Sequence, residues 1–312
     1  MLTLSIVIVS WNVAELLERC LESIDAALAR PGAPDTEIIV VDSASSDDTV
    51  RRVHSGFPHV RLISLKENLG YVRGNNIGVE VSAGQYILLL NPDTEILDNA
   101  LAEMVSFLNE HPEAGIVGPH TLNTDGTHQS TRRRFPTLLT GIFESTWLQP
   151  LAPRSVLDAY YVRDVSDDAP VAEVDWVQGS ALMTRREVFE SVGFLDDGYV
   201  MYSEELDWCR RARLKGWKAY YLGTARIIHH GGQSTAQAPA RTQIHFHQSK
   251  LRYFRKFHGK SAAQFLRVIL LLNYTIQLMI EALKHLLGHK RALRRERIQA
   301  YLQVLRSRLE VT

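Results

Sequence analysis

The sequence predicts an α/β protein: a Rossmann-like, mostly parallel sheet flanked by helices, followed by a C-terminal helical extension. Three observations predict it. Over the first 120 residues, short apolar and β-branched runs alternate with stretches whose apolar residues recur at helical spacing. Strands separated by helices of that length form βαβ units, whose strands lie parallel. The chain of 312 residues, 45% apolar and 22% charged, has the balance of an ordinary globular protein large enough for one α/β domain with a tail.

Leu4–Val9 is the first strand. The N-terminus around it is apolar but lacks a basic leader, so it reads as a buried strand and not as a signal peptide. Asn12 with Glu15 fits a capping box, after which Leu16, Leu17, Cys20, Leu21, Ile24 and Leu28 mark one helix face. Glu37–Val41 is the second strand, and Ser46-Asp47-Asp48 caps a helix over Thr49–Ser55. Val60–Leu65 is the third strand, a helix spans Gly74–Ser82, and Tyr86–Leu90 is the fourth strand. Asp98 caps a helix reaching Asn109, and Gly115–Gly118 is the fifth strand. Residues 121–172 show no sustained period and are assigned to loops and short helices. Asp175–Thr184 is a strand and Arg186–Val192 a helix. Ser203 to Lys215 is a helix with acids in its first turn, cations in its last and Gly216 just beyond. Lys218–Leu222 and Ala225–His229 are further strands.

The division expected is residues 1–240 for the α/β domain and 241–312 for the tail. Net charge is zero overall, but the tail carries fifteen Lys and Arg against three acids, a balance of +12, which leaves −12 on the rest. Such a split speaks of partners: anionic lipid or nucleic acid. Phe265–Leu287 is apolar, but its longest uncharged stretch, Val268–Ile280, has thirteen residues, short of the roughly 20 a membrane span needs. An interfacial or docked amphipathic helix fits it, with the cations from Lys284 to Arg297 facing head groups. Few aromatics interleave with the basic residues beyond Tyr253, Phe254 and Phe257, which favours lipid over nucleic acid. Cys20 and Cys209, far apart, read as reduced buried thiols.

Candidate functional residues fall where an open parallel sheet binds ligands, beyond the carboxyl ends of its strands. Asp42 closes the second strand, where it either contacts a ligand or caps the turn at Ser43-Ala44-Ser45. Asn68, Gly70, Arg73 and Asn76 form a Gly/Asn-rich loop into a helix, suited to phosphate or ribose and equally to ordinary turns. Asn91-Pro92-Asp93 follows the fourth strand and is also good turn material. Glu204, Glu205 and Asp207 open a helix, where the helix dipole alone accounts for some acid. His229 and His230 end the last strand before Gly231-Gly232. Arg132-Arg133-Arg134 is either a solvated charge run or a site for an acceptor pyrophosphate, and Trp208 and Trp217 are assigned to the core.

In order along the chain, SIVIVSWN (5–12), VDSASSDDT (41–49), NLGYVRGNNIG (68–78), LLLNPDT (88–94), VQGSALMTRREVFESVGFLD (177–196), MYSEELDWCRRARLKGW (201–217), IIHHGGQST (227–235) and KLRYFRKFHG (250–259) resemble glycosyltransferase family 2, in its rhamnosyltransferase-like bacterial branch. The resemblance implies the GT-A fold. It implies a nucleotide lying near Ser10, Trp11 and Asn12, with Asp42 accepting a hydrogen bond from a pyrimidine. It places Asn91 and Asp93 at the family's acidic metal motif, with Asn91 replacing an acid, and makes Asp93 a ligand of magnesium or manganese at the diphosphate. His229 is the implied second metal ligand, since imidazole suits first-row metals, or else a diphosphate contact, with His230 an alternative to it. Glu205 is the implied catalytic base, a Glu where relatives often have Asp, and Glu204 orients the acceptor or Glu205. Asp207 is placed on the substrate side or as a buttress of the helix start, and Trp176, Gln178 and Gly179 on the sugar and acceptor side.

The expected activity is inverting transfer of a sugar, rhamnose first among candidates, from a dTDP- or UDP-sugar to a surface glycan or lipid-linked acceptor. The expected location is the cytoplasmic face of the cell membrane, peripheral and held by the basic tail, with no nucleic acid as partner. A catalytically inactive membrane scaffold that binds nucleotide or glycan is the alternative. A nucleotidyltransferase would carry a Gly-rich, basic loop after the first strand, where Ser10-Trp11-Asn12-Val13 stands.

Overall fold

A computed structural model describes residues 2–144, 146–163, 165–166, 169–231 and 239–310. Gly232 to Thr235, the end of one motif above, lie outside the described residues. The chain divides into two compact units. The first comprises Met1–Phe135, Tyr161–Asp197 and Glu204–Ser234; the second comprises Pro136–Tyr160, Gly198–Ser203 and Thr235–Thr312. The helical unit therefore draws in two segments from before the expected boundary at 240.

The first unit is built on β1 (Leu4–Ser10), β2 (Thr36–Asp42), β3 (Arg61–Ser64) and β4 (Tyr86–Leu90), which pair in parallel in the order β3-β2-β1-β4. Every residue of β1 and β4 is buried, as expected of strands covered on both faces. The connections are α1 (Ala14–Leu28), α2 (Thr49–Gly56) and α3 (Gly70–Val81). Leu17, Cys20, Leu21 and Ile24 of α1 join Leu4, Ile6, Ile8, Val40 and Leu88 in one core cluster. Helix α3 lies close against β1 because Gly74 and Gly78 face it: a Cβ on Gly74 would fall 2.8 Å from Val9 Cγ1, and one on Gly78 would overlap Val7.

Beyond β4 the sheet becomes mixed. β5 (Thr94–Ile96), β6 (Ala114–Leu122), β11 (Ala181–Arg185) and β12 (Lys218–His229) complete the order β4-β11-β6-β12-β5. β11 runs antiparallel to β4 and β6, β12 runs parallel to β6, and β5 runs antiparallel to β12. β7 (His128–Gln129) pairs with β6, and β9 (Val171–Val174) with β12. β8 (Arg132–Arg133) pairs with β10 (Trp176–Val177) apart from the main sheet. α4 (Ala100–Glu110), α7 (Arg186–Val192) and α8 (Glu204–Leu214) cover the sheet's flanks.

Several local expectations are corrected. Asn12 has φ +53° and does not cap α1; the Ala14 amide donates to Asp47 Oδ2, and Asp47 Oδ1 also accepts from the Thr49 amide. One carboxylate thus serves two helix starts. Asn99 occupies the cap of α4, while Asp98, at φ +50°, pairs with Arg226. Helix α3 begins at Gly70, so most of the Gly/Asn-rich segment is helix and not loop. The expected strand 175–184 is two strands separated by Gln178–Ser180, and the two expected C-terminal strands are one, bent by a bulge between Leu222 and Arg226. Arg132 and Arg133 are buried, with Arg132 over the Tyr221 ring and Arg133 over that of Tyr161, so neither belongs to a solvated run. Trp208 is fully buried as expected, whereas Trp217 is only partly so.

The second unit is helical: α5 (Leu138–Phe143), α6 (Arg154–Tyr160), α9 (Pro239–Phe257), α10 (Lys260–Leu286) and α11 (Arg291–Arg306). Leu251, Tyr253 and Phe254 of α9 are buried, as are Leu266, Leu270 and Tyr274 of α10 and Val304 of α11. A buried Glu281–Arg294 ion pair at 2.6 Å joins α10 to α11. By length and composition α10, with mean hydropathy 1.5 over its best window, meets the minimum for crossing a membrane. One of its faces is nevertheless committed to the interior of this unit, as a docked amphipathic helix requires.

Candidate active site

At the carboxyl ends of β1 and β2, Ser10 and Asp42 stand opposite each other, both fully buried. Asp42 Oδ2 accepts from the Ser45 amide at 3.0 Å. Asp42 Oδ1 and Ser10 Oγ have no hydrogen-bond partner among the described residues. Buried polar atoms are rarely left so, because an unmet group costs about 1–3 kcal/mol. The pair forms a ready recognition point for a donor such as a ring N–H. Trp11, beside it, is 36% exposed, a large share for a tryptophan at the end of a buried strand. Asn12 braces the floor: its Oδ1 accepts from the Ser46 amide at 2.7 Å and its own amide donates to Ser45 Oγ. Ser43 Oγ donates to Asn68 Oδ1, which also accepts from the Gly70 amide. Gly70, with φ +80°, makes the turn into α3. Arg73 is exposed, with Asp197 at 3.8 Å opposite it. Asn76 is spent on the fold: its amide donates to Leu195 O and accepts from Leu195 N.

A second cluster forms where β4 ends, β5 begins and β12 stops. His229 Nε2 lies 3.3 Å from Asp93 Oδ1 and 3.4 Å from Asn91 Nδ2. His229 Nδ1 lies 2.7 Å from Gln129 Oε1. The amide oxygen can only accept, so Nδ1 carries a proton, and in the neutral imidazole Nε2 turns a lone pair toward the carboxylate. In that form the two acceptors face one another, and a cation between them satisfies both. Neighbouring positions on an octahedral ion with ~2.1 Å bonds are about 3 Å apart. The residues therefore fit a divalent metal. Among the described residues no group of three or more His, Cys, Asp or Glu side chains converges, so Asp93 and His229 are the two donors that could hold such an ion there. His230 Nε2 is taken by Glu95 at 2.7 Å. Cys20, underneath, is fully buried and its thiol is pushed up to about 12 by burial, which keeps it inert.

The third cluster is the start of α8. Glu204 is 4% exposed and Glu205 partly buried, and each has an Oε2 without a partner among the described residues. Burial, then the charge of Glu205, raises Glu204 well above the ordinary carboxylate range. Burial also raises Glu205, against the pull of its own, the Leu206 and the Gly179 amides and of the Arg133 cation. Tyr71 Oη donates to Gly179 O at 3.1 Å. Burial first, then the charges of Glu204, Glu205 and Asp93, keep the Tyr71 hydroxyl protonated, so the phenol sits within the field of both the acidic pair and Asp93. Asp207 is fully buried and holds Arg211 at 2.8 Å, which makes it a buttress of α8 and removes it from the substrate side. Trp176 is 7% exposed with its Nε1–H on Arg134 O, which seats it in the packing and not on an open sugar-binding face. Gln178 and Gly179 are half-buried beside Glu205, and a Cβ on Gly179 would stand 3.7 Å from Glu205 Cδ.

Gln129 and Tyr71 were not singled out from the sequence. Gln129 lies in the aperiodic stretch 121–172, and Tyr71 hides within the NLGYVRGNNIG motif as an ordinary core aromatic.

A family model described as "Glycosyl transferase family 2" matches residues 5–210. The chain belongs to glycosyl transferase family 2. It is 28% identical over 267 residues to the N-acetylglucosaminyl-diphospho-decaprenol L-rhamnosyltransferase of Mycobacterium tuberculosis, covering 82% of this chain and 85% of that protein. Among solved structures, a mannosyltransferase from Pyrobaculum calidifontis in complex with GDP-Man and Mn2+ superposes with a TM-score of 0.57 at 17% identity, covering 97% of this chain and 84% of that one. GalNAc-T7 with UDP, GalNAc and Mn2+ gives 0.55 at 17% identity, covering 73% of this chain and 44% of that one. The fold is GT-A, and the protein is a glycosyltransferase of the rhamnosyltransferase-like kind.

Proposed function

We propose that this family 2 enzyme transfers a 6-deoxyhexose, L-rhamnose first, from a dTDP- or UDP-sugar to a lipid-linked saccharide, with inversion at the anomeric carbon. The observation that carries the reading is two acidic sites with different chemistry in one compact unit: the buried Glu204–Glu205 pair beside Gly179, whose carbonyl Tyr71 holds, and the Asp93–His229 pair at the end of β12. The donor identity is supported by the similarity to the mycobacterial rhamnosyltransferase, whose name gives N-acetylglucosaminyl-diphospho-decaprenol as its acceptor.

The nucleobase occupies the floor at Ser10, Trp11 and Asp42, with Asp42 Oδ1 accepting the ring N–H. Asn68, Gly70 and Arg73, at the start of α3, lie on the ribose and phosphate side. Asp93 and His229 would hold a magnesium or manganese ion, which would supply positive charge to offset that of the leaving diphosphate. Glu205 takes the proton from the acceptor hydroxyl as that oxygen bonds to the anomeric carbon and the carbon–diphosphate bond breaks on the opposite face. One displacement inverts the centre. Burial raises both carboxyls, which brings Glu205 toward the pH at which it works, and Glu204 orients the acceptor or Glu205. Gln178 and Gly179 line the sugar side.

The second unit supplies a way to reach such acceptors at the cytoplasmic membrane face. Phe265, Val268, Leu272, Met279, Leu283 and Leu286 are all more than half exposed and recur at helical spacing along one face of α10. Lys284, Lys290, Arg291 and Arg295 are exposed at its C-terminal end and the start of α11. An apolar stripe rimmed by cations is the signature of an interfacial helix on anionic lipid.

The test is transfer to a synthetic lipid-linked N-acetylglucosaminyl diphosphate from a panel of dTDP-, UDP- and GDP-sugars. Wild type is expected to transfer from one donor, and Glu205→Gln to lose transfer while keeping nucleotide affinity. Full transfer by Glu205→Gln would remove the base from the mechanism.

A further inference from the structure

His229 ends β12 with its two ring nitrogens in different company. Nδ1–H donates to Gln129 Oε1 at 2.7 Å, and Gln129 Nε2 donates to Asn123 Oδ1 at 3.0 Å. Asn123 Nδ2 donates to Thr127 Oγ1 at 2.9 Å, and the Thr127 hydroxyl donates to Asp125 Oδ1 at 2.6 Å. Donors therefore run in one direction, from the imidazole to a carboxylate. The carboxylate end sets the direction. Hydrogen bonds from Thr127 hold Asp125 below the ordinary carboxylate range, so it can only accept. Thr127 must then spend its proton on Asp125 and accept from Asn123. Asn123 must in turn offer its oxygen to Gln129, and Gln129 its oxygen to His229. Turning either amide over would place like atoms face to face.

The chain of bonds sits on the β6–β7 hairpin, whose register pairs Thr121 with Gln129 and Leu122 with His128. The Asn123 amide donates to Thr127 O at 2.8 Å, the Gly126 amide donates to Asn123 O at 2.9 Å, and Gly126 turns the chain at φ +80°. The hairpin is thus folded around the side chains that form the relay.

We propose that Gln129, set by Asn123, is a positioning residue that fixes His229 as the Nδ1–H tautomer and so presents Nε2 toward Asp93 as a metal ligand. The proposal rests on the metal reading above. It also separates the two neighbouring histidines: Nε2 of His230 is occupied by Glu95, whereas Nε2 of His229 has, among the described residues, only long contacts with Asp93 and Asn91. Ligating histidines are held in this way by a partner on the other ring nitrogen, and loss of that partner weakens metal binding by about 10- to 100-fold.

The first readout needs neither metal nor substrate. At pH 8, above the range where an ordinary imidazole takes its second proton, long-range 1H–15N spectra of metal-free protein report each tautomer, with His229 assigned by His229→Asn. Wild type should give the Nδ1–H pattern. Gln129→Leu and Asn123→Leu should give the Nε2–H form or a mixture, and Gln129→Glu, which keeps an acceptor, should restore Nδ1–H. Mn2+ binding in the presence of UDP, followed by electron paramagnetic resonance, should weaken about 10- to 100-fold in the two Leu variants and stay within threefold of wild type in Gln129→Glu. An Nε2–H tautomer in wild type overturns the proposal, and that measurement needs no variant to fold. So does a folded Leu variant with unchanged tautomer and Mn2+ affinity. Wild type with the expected tautomer but no Mn2+ binding overturns the metal reading instead.

Discussion

Asp42→Asn gives a sharp test of the proposed nucleobase floor. The substitution conserves size in a position with no exposure. Asp42 Oδ2 is fixed by the Ser45 amide at 3.0 Å, so in the variant the side-chain oxygen stays there and the NH2 group takes the place of Oδ1. A free acceptor thereby becomes a donor, facing the ring N–H it is meant to bind. A hydrogen bond to a charged acceptor contributes about 1.5–3 kcal/mol. At 1.4 kcal/mol per tenfold, affinity for dTDP or UDP should fall about 10- to 150-fold. Isothermal titration with either nucleotide in Mn2+ reads this directly. The melting temperature serves as a control, since the Ser45 contact is retained. A well-folded variant whose nucleotide affinity changes less than twofold would refute the placement of the base against Asp42.

The buried acidic pair makes a prediction about stability. Glu204 is raised in the folded protein above its unfolded value of about 4.3, so its contribution is fully present below that pH and is lost as pH rises through the folded value. Glu204→Gln has no proton to lose, so the melting temperature of the variant relative to wild type should climb between pH 5 and pH 8.5; a constant or shrinking difference contradicts the assignment. For the α10 stripe, flotation with phosphatidylglycerol vesicles should carry wild type upward and leave Leu283→Glu/Leu286→Glu with the soluble protein. Equal flotation of both would remove the membrane role.

The sequence was most legible where one physical rule acts alone. β1, β2 and β4 are buried on both faces, so an unbroken apolar run located them within a residue or two. Helix caps were read less well because the deciding partner is distant: Asp47 reaches back to Ala14 across a gap of 33 residues, and no local pattern reports that. β5 has three residues and exists by pairing with β12, so it carries no periodicity of its own. In the candidate site, Asp93, His229, Glu204 and Glu205 stand out in the sequence because their residue types are chemical and follow strand ends or open a helix. Asp207 and Trp176 share that neighbourhood in sequence, but their side chains turn inward, to Arg211 and to Arg134 O. Arg132 and Arg133 misled in the other direction, since a run of three cations gave no sign that aromatic faces and carbonyls would bury two of them. Gln129 acts only through His229, and its role appears once β7 pairs with β6.

The central claim is that Asp93 and His229 bring a divalent ion to the diphosphate of a sugar donor in the same pocket as Glu205. Nucleotide release from a panel of dTDP-, UDP- and GDP-sugars, measured with Mn2+, with Mg2+ and with EDTA, for wild type and Asp93→Ala, tests it most directly. The account predicts slow release from one donor, restored by either metal and abolished by EDTA and by Asp93→Ala. Release that persists in EDTA at the wild-type rate, or in a folded Asp93→Ala protein, would contradict it.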